Sequence, residues 1–317
     1  MTYAQYGLIQ ATDFNTLVGG DPTTTANTIN ATWAIGGTNA GYGQTAVANV
    51  SVGNTVAATS QWASLVANTA SAATHQGSSI TAVSTPVSGG TITYLSAIPT
   101  NLQTIYTNRL NAATQGGTTA NTVTTAATWS SIATFTHTVT FANGNAARYF
   151  FNSGGQLKIT CSHPAGTGIN LLLNNLASNV GTVSLSSPIS GSVTIAGTSY
   201  NGVTKVGGGG NAPTISTNTG YYALTTSNAS IFTQTASTGP AGYLSTFINV
   251  TVKSNGTQGS NGDAGSIITI YTTWDEIPNG LVVSTGSATT VTAQAPETTN
   301  LANSWGTISV AGSVTVS

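Results

Sequence analysis

The sequence predicts a mainly β protein. An antiparallel β-sandwich or barrel-like module should occupy residues 126–317, after a mixed α/β region, 1–125, with two or three short helices. Three observations predict this. Apolar residues alternate with period two from Trp129 onward, the signature of half-buried strands. Asn and Gly turns interrupt that part at the short intervals of a sandwich or barrel. Before residue 125, two stretches instead space their apolar residues by three and four, as helices do.

The first helix is expected from Asp13 to Val18. The second spans 60–76 (SQWASLVANTASAATHQ), with Trp62, Leu65, Val66, Thr69 and Ala73 on one stripe. Ser60 suits its N-cap and Gly77 the residue past its end. The third spans 96–115, with Leu102, Ile105, Tyr106, Arg109, Leu110 and Ala113 on a stripe, Pro99 in the first turn and Gly116 as the stop. The turn-rich segment 21–43 holds Ile29, Trp33 and Ile35, so it should pack. Little apolar content near residue 125 marks the boundary.

Residues 129–141 (WSSIATFTHTVTF) alternate over a long run. Residues 142–145 (ANGN) then read as a hairpin turn, after which 146–151 resumes an extended pattern. In that extended reading Tyr149 and Phe151 share one face and Phe150 the other. Arg148 would pair with a carboxylate or strand-end carbonyl across an interface, or lie exposed on a strand edge. Further strands are expected at 156–162, 182–185, 192–196, 245–253, 266–273, 281–284 and 308–316. The Gly207–Gly210 run is a loop. Thr-x-Thr fragments such as 91–93, 134–136 and 138–140 recur without a fixed period, which argues against a solenoid.

Charge is nearly absent. The 317 residues include 5 Lys or Arg and 6 Asp or Glu, a charged fraction of 3%, against about 25% in typical domains. In their place stand 60 Thr, 34 Ser and 28 Asn. A net charge of −1 with no basic cluster excludes nucleic acid as an electrostatic partner. No run of 18 apolar residues offers a membrane span. The start, Met1 to Tyr6, lacks the basic and apolar regions of a secretory signal. One cysteine, Cys161, forms no internal disulfide.

The residues for catalysis are sparse. Asp275 and Glu276 are the only adjacent acids, and neighbours on a strand face opposite ways. They read better as the end of a strand, with an acid capping the Pro278-Asn279-Gly280 turn. No Gly-x-Ser-x-Gly elbow occurs. His75 suits compensation of a helix C-terminus, and His137 a solvent or interface position. Cys161 and His163 alone do not make a zinc site. The glycine run lacks the Lys-Ser/Thr of a phosphate loop. Residues 255–263 (NGTQGSNGD) resemble a calcium loop but carry one carboxylate. No catalytic residue, metal ligand or cofactor is therefore assigned.

What remains suits packing. Thr has high β propensity, and Ser, Thr and Asn can satisfy one another across strands. A near-neutral monomer should be poorly soluble unless a permanent assembly covers its surface. Four segments carry a resemblance: 27–33 (NTINATW), 41–46 (GYGQTA), 145–157 (NAARYFFNSGGQL) and 239–243 (GPAGY). Together they resemble virion structural proteins of tailed bacteriophages, marine and cyanophage-like ones especially. The resemblance implies a tail, baseplate or fibre-associated component, assembled in the host cytoplasm and released by lysis, and it implies no catalytic residue. Its partners would be copies of itself, in a trimer or ring, and other virion proteins. Arg148, Tyr149 and Phe151 are candidate interface residues. In one alternative reading, a glycan-binding adhesin, Trp129, Tyr221, Tyr222 and Trp274 would supply sugar-stacking platforms. A capsid decoration protein is another.

Overall fold

The structure, a computed structural model, describes residues 11–19, 27–37, 39–87, 96–188, 190–257 and 265–317. The Thr91–Thr93 fragment, the acids Asp21 and Asp263 and most of the calcium-like loop lie outside them.

Helical spacing sets the first core. α1 (Ala11–Val18) buries Phe14, Leu17 and Val18, followed by the single turn α2 (Ile29–Thr32). α3 (Ala63–Gln76) buries Leu65, Thr69, Ala72 and Ala73, and α4 (Ala97–Thr107) buries Ile98, Leu102 and Ile105. Phe14 meets Trp62 edge-on at 5.2 Å. Gly77 ends α3 with φ +69°, and the Ser78 amide returns to the Ala73 carbonyl at 2.8 Å. Ser60 is not the N-cap, because a π-type turn (Ala58–Trp62) already carries the helix backwards. The third helix stops at Thr107 rather than 115. Arg109 leaves the stripe, donating from Nε to the Asn39 carbonyl and from Nη1 to that of Tyr106, both at 2.9 Å.

Among the described residues, the extended segments that join these helices form no ladder. Side-chain amides take the place of a partner strand. Asn30 donates to the Val47 carbonyl and accepts from the Val47 amide, both at 2.9 Å. Asn15 does the same to Val50, Asn101 to Thr81, and Gln44 to Ala302. Each carboxamide has one donor side and one acceptor side, so it satisfies both backbone groups of one residue. Asn30→Asp keeps the shape but sets an anionic oxygen against the Val47 carbonyl. With Asn30 buried, we expect a loss of about 2–4 kcal/mol in urea unfolding. A loss below about 0.5 kcal/mol would show that the bracket holds nothing.

The strands are β1 (Gln115–Thr124), β2 (Ile132–Thr140), β3 (Gln156–Ser162), β4 (Thr182–Leu185), β5 (Val193–Ile195), β6 (Thr198–Tyr200), β7 (Val203–Val206), β8 (Thr214–Ile215), β9 (Ala229–Thr235), β10 (Phe247–Ser254), β11 (Ile267–Asp275), β12 (Ala288–Pro296) and β13 (Ser309–Val316). They form two antiparallel sheets, β1-β12-β3-β4-β7 and β13-β2-β11-β10-β9-β8, with a separate β5–β6 hairpin. Mainly β with a few helices in its N-terminal part, the architecture is that of a sandwich. One sheet turns Phe135, Val250, Ile270 and Trp274 inward and the other Leu157, Ile159, Val183 and Val291. Residues 281–284 form no strand, only a bridge between Val283 and Trp129.

Threonine occupies the outward positions in rows. Thr315, Thr134, Thr273, Asn249, Thr233 and Thr214 lie side by side across all six strands of the larger sheet. Thr122, Thr290, Thr160 and Thr182 make a row across four strands of the other. Asn249 Nδ2 donates to Thr233 Oγ1 at 2.7 Å, and Thr122 and Thr290 share a hydroxyl bond of 2.8 Å.

Two helices interrupt the β pattern. α5 (Gly144–Asn152) stands where a hairpin turn and an extended run were expected. Asn143 caps it, its Oδ1 accepting from the Ala146 amide at 2.8 Å. Phe150 and Phe151 are therefore both buried rather than on opposite faces, while Tyr149 is half-buried. α6 (Ile169–Val180) was not anticipated; it buries Leu172, Leu173, Leu176 and Val180 between β3 of one sheet and β9 and β10 of the other.

Candidate functional site

The residues singled out from sequence lie in the interior. Trp129, Tyr221, Tyr222 and Trp274 are 3%, 0%, 7% and 0% exposed. They pack rather than present a ring to solvent: Tyr221 stacks on Phe151 at 4.2 Å and Trp274 lies 5.9 Å from Phe135.

Arg148 is fully buried. Its place on a helix rather than a strand edge explains this, since α5 turns it onto the segment 35–43. Nη1 donates to the Ala40 carbonyl and Nη2 to that of Ile35, both at 2.8 Å. Asn152, one turn on, donates to the Ala40 and Gly41 carbonyls and accepts from the Tyr222 hydroxyl at 2.6 Å. Tyr149 lies over Gly43, where a Cβ would come within 2.4 Å of its ring. Arg148, Tyr149 and Asn152 thus join the N-terminal region to the sandwich within one chain, while Phe151 packs inside the sandwich core against Phe141, Phe150 and Tyr221. Two of the segments that carried the resemblance, 41–46 and 145–157, meet here.

A second joint lies beside it. His75 Nδ1 is 2.9 Å from Glu297 Oε1, and the carboxylate also accepts from the Thr299 and Asn300 amides. The hydrogen bond from His75 holds Glu297 well below the usual carboxylate range, at about 2. Gln76 donates to the Tyr42 hydroxyl at 2.7 Å, and that hydroxyl donates to the Arg109 carbonyl at 2.8 Å. His75 therefore holds a carboxylate, beyond the helix-end role expected of it.

A third cluster joins residues far apart in the sequence. His163 Nδ1 is 2.9 Å from Ser287 Oγ, and His163 Nε2 is 3.1 Å from Asn170 Oδ1. Serine, base and orienting group at such distances form the pattern of nucleophile activation. Ser287 is wholly buried, however, and its hydroxyl also accepts from Trp129 Nε1 at 3.3 Å. Asn170 Oδ1 takes the Ser284 amide and hydroxyl as well. The network fastens the 284–287 loop to β3 and α6. Nothing in the local sequence marked it, because His163 and Ser287 are 124 residues apart.

Glu276 caps its turn as expected, Oε2 accepting from the Gly280 amide at 3.0 Å. Burial raises it above the usual carboxylate range, and Asp275 likewise. Burial pushes the Cys161 thiol up to about 12, away from reactivity. His137 is inside, not at solvent, between Ile270 and Gly312 on the neighbouring strands. Among the described residues no group of three or more His, Cys, Asp or Glu could hold a metal ion, and no helix is long and apolar enough to cross a membrane. An apolar groove of about 480 Å³ runs between α3 and residues 78–83. A more polar one of about 580 Å³ lies beside residues 44–48, with Trp33, Gln61 and Asn68 on its walls. Comparison with known proteins finds no matching family model, curated protein or solved structure.

Proposed function

We propose that this chain is a structural component of a tailed-bacteriophage virion, in the tail, baseplate or fibre, acting by packing against copies of itself and other virion proteins. One observation carries the reading: hydroxyl rows tile the outer faces of both sheets in a chain with 11 acidic and basic residues. Such faces have hardly any charge with which to repel a copy and little that salt can screen. His75, Glu297, His163 and Glu276 tie segments together. The resemblance of residues 27–33, 41–46, 145–157 and 239–243 to virion proteins supports the particle as its setting. Burial of Trp129, Tyr221, Tyr222 and Trp274 takes away the platforms of the adhesin alternative.

Negative-stain imaging of the purified protein tests the proposal. A ring, a rod or another symmetric particle is the expected result, with antibody to the chain labelling one part of intact phage. A field of single-chain particles at micromolar concentration, or label absent from the phage, would contradict it.

A further inference from the structure

Among the described residues, the two sides of the sandwich treat their free strand edges differently. A free edge presents unpaired N–H and C=O groups, and monomeric proteins blunt it with shortness, lysine or proline. One side follows that rule. There β8 has 2 residues and follows Pro213, and β7 has 4 residues, among them Lys205. The other side breaks it. β1 runs for 10 residues and β13 for 8, and neither contains a charged residue or a proline. β1 is kinked by a register shift between Gln115 and Thr118, whereas β13 pairs with β2 in unbroken register. On its outer face Ala311, Ser313 and Thr315 are exposed, while Val310 and Val314 pack against the core on the other.

We infer that β13 is the surface by which a second copy of this chain docks, strand to strand and antiparallel, so that the six-stranded sheets of two copies become continuous. The occupant follows from the charge pattern. In a two-fold pairing a residue faces itself or a near neighbour from the other copy, and like charges opposite one another destabilise the pair. A strand without charge is free of that penalty. The pairing also brings together outward hydroxyls of the two copies, on Ser309, Ser313 and Thr315, each able to donate and accept. The inference rests on the assembly reading and names its contact.

The test is native mass spectrometry of three proteins at micromolar concentration: wild type, Ala311→Lys with Ser313→Lys, and a control with Thr214→Lys on the opposite edge. The wild type and the control should share one oligomeric mass. The double variant, folded by near-ultraviolet circular dichroism, should fall to a half or smaller submultiple of it. An unchanged mass in the folded double variant overturns the inference and leaves the assembly reading standing; a monomeric wild type overturns both. If the double variant does not fold, hydrogen exchange of wild-type β13 decides. Protection that grows with protein concentration supports the docking, and protection independent of concentration overturns it.

Discussion

Arg148→Met should lower the unfolding free energy by about 3–5 kcal/mol, the scale of breaking a fully buried charged contact. The guanidinium spans two carbonyls, Ala40 and Ile35, from one side chain. Methionine fills similar volume but donates to neither, and an acceptor left buried without a partner costs about 1–3 kcal/mol. Arg148→Lys should recover only part of the loss, because an ammonium is a point donor without the planar fork that reaches two acceptors. Urea unfolding at neutral pH checks both. A change below about 1 kcal/mol in Arg148→Met would mean that segment 35–43 does not depend on this anchor. Asn152 donates to the same Ala40 carbonyl, so Arg148→Met and Asn152→Ala should be non-additive in a double-mutant cycle.

Acid should lower the stability of the protein in two stages. Burial holds His137 and His163 below their ordinary value of 6.5. For His163 a hydrogen bond to Asn170 offsets part of this. Neither ring nitrogen of His137 has a partner of good geometry, the nearby Asn121 backbone offsetting only part of the burial effect. Each ring binds its proton more readily in the unfolded chain. Their contribution to stability is therefore complete above about pH 6.5 and falls as the pH drops below it, by at most about 1.4 kcal/mol per pH unit for each ring. Glu297 acts later, since its carboxylate is held at about 2 against an ordinary 4.5. Its contribution is lost as the pH falls from about 4.5 to about 2. Asp275 and Glu276, raised by burial, act with the opposite sign, favouring the fold as they protonate. His137→Leu should flatten the first stage alone, and Glu297→Gln the second. Unfolding free energies measured from pH 8 to pH 3 check this; an unchanged slope below pH 6.5 in His137→Leu would contradict the first assignment.

The sandwich was largely legible because alternation leaves little choice in a strand such as β2. Ala133, Phe135, His137 and Val139 point inward and the threonines outward. β12, with Val291 and Ala293 inside, carries the same alternation but was not anticipated, its short side chains resembling the turns around it. α5 was misread for a physical reason. Adjacent aromatics favour strands, yet Asn143 offers a cap, and Ala146, Ala147, Phe150 and Phe151 fit one helical face. α6 hid behind Asn170, Asn174, Asn175 and Asn179, residues common in turns, although Leu172, Leu173, Leu176 and Val180 keep helical spacing between Gly168 and Gly181. The candidate aromatics were legible as large apolar groups, not as exposed ones. The Asn brackets and the His163–Ser287–Asn170 network were not legible, because each needs a partner that only the fold brings near.

Sedimentation velocity at micromolar concentration, in about 0.1 M and about 1 M salt, asks most directly whether this nearly uncharged surface exists to be covered. The Debye length falls from about 10 to about 3 Å across that range. One oligomer, unchanged between the two conditions, is predicted; a lone chain in both, or an oligomer that salt disperses, would contradict the account.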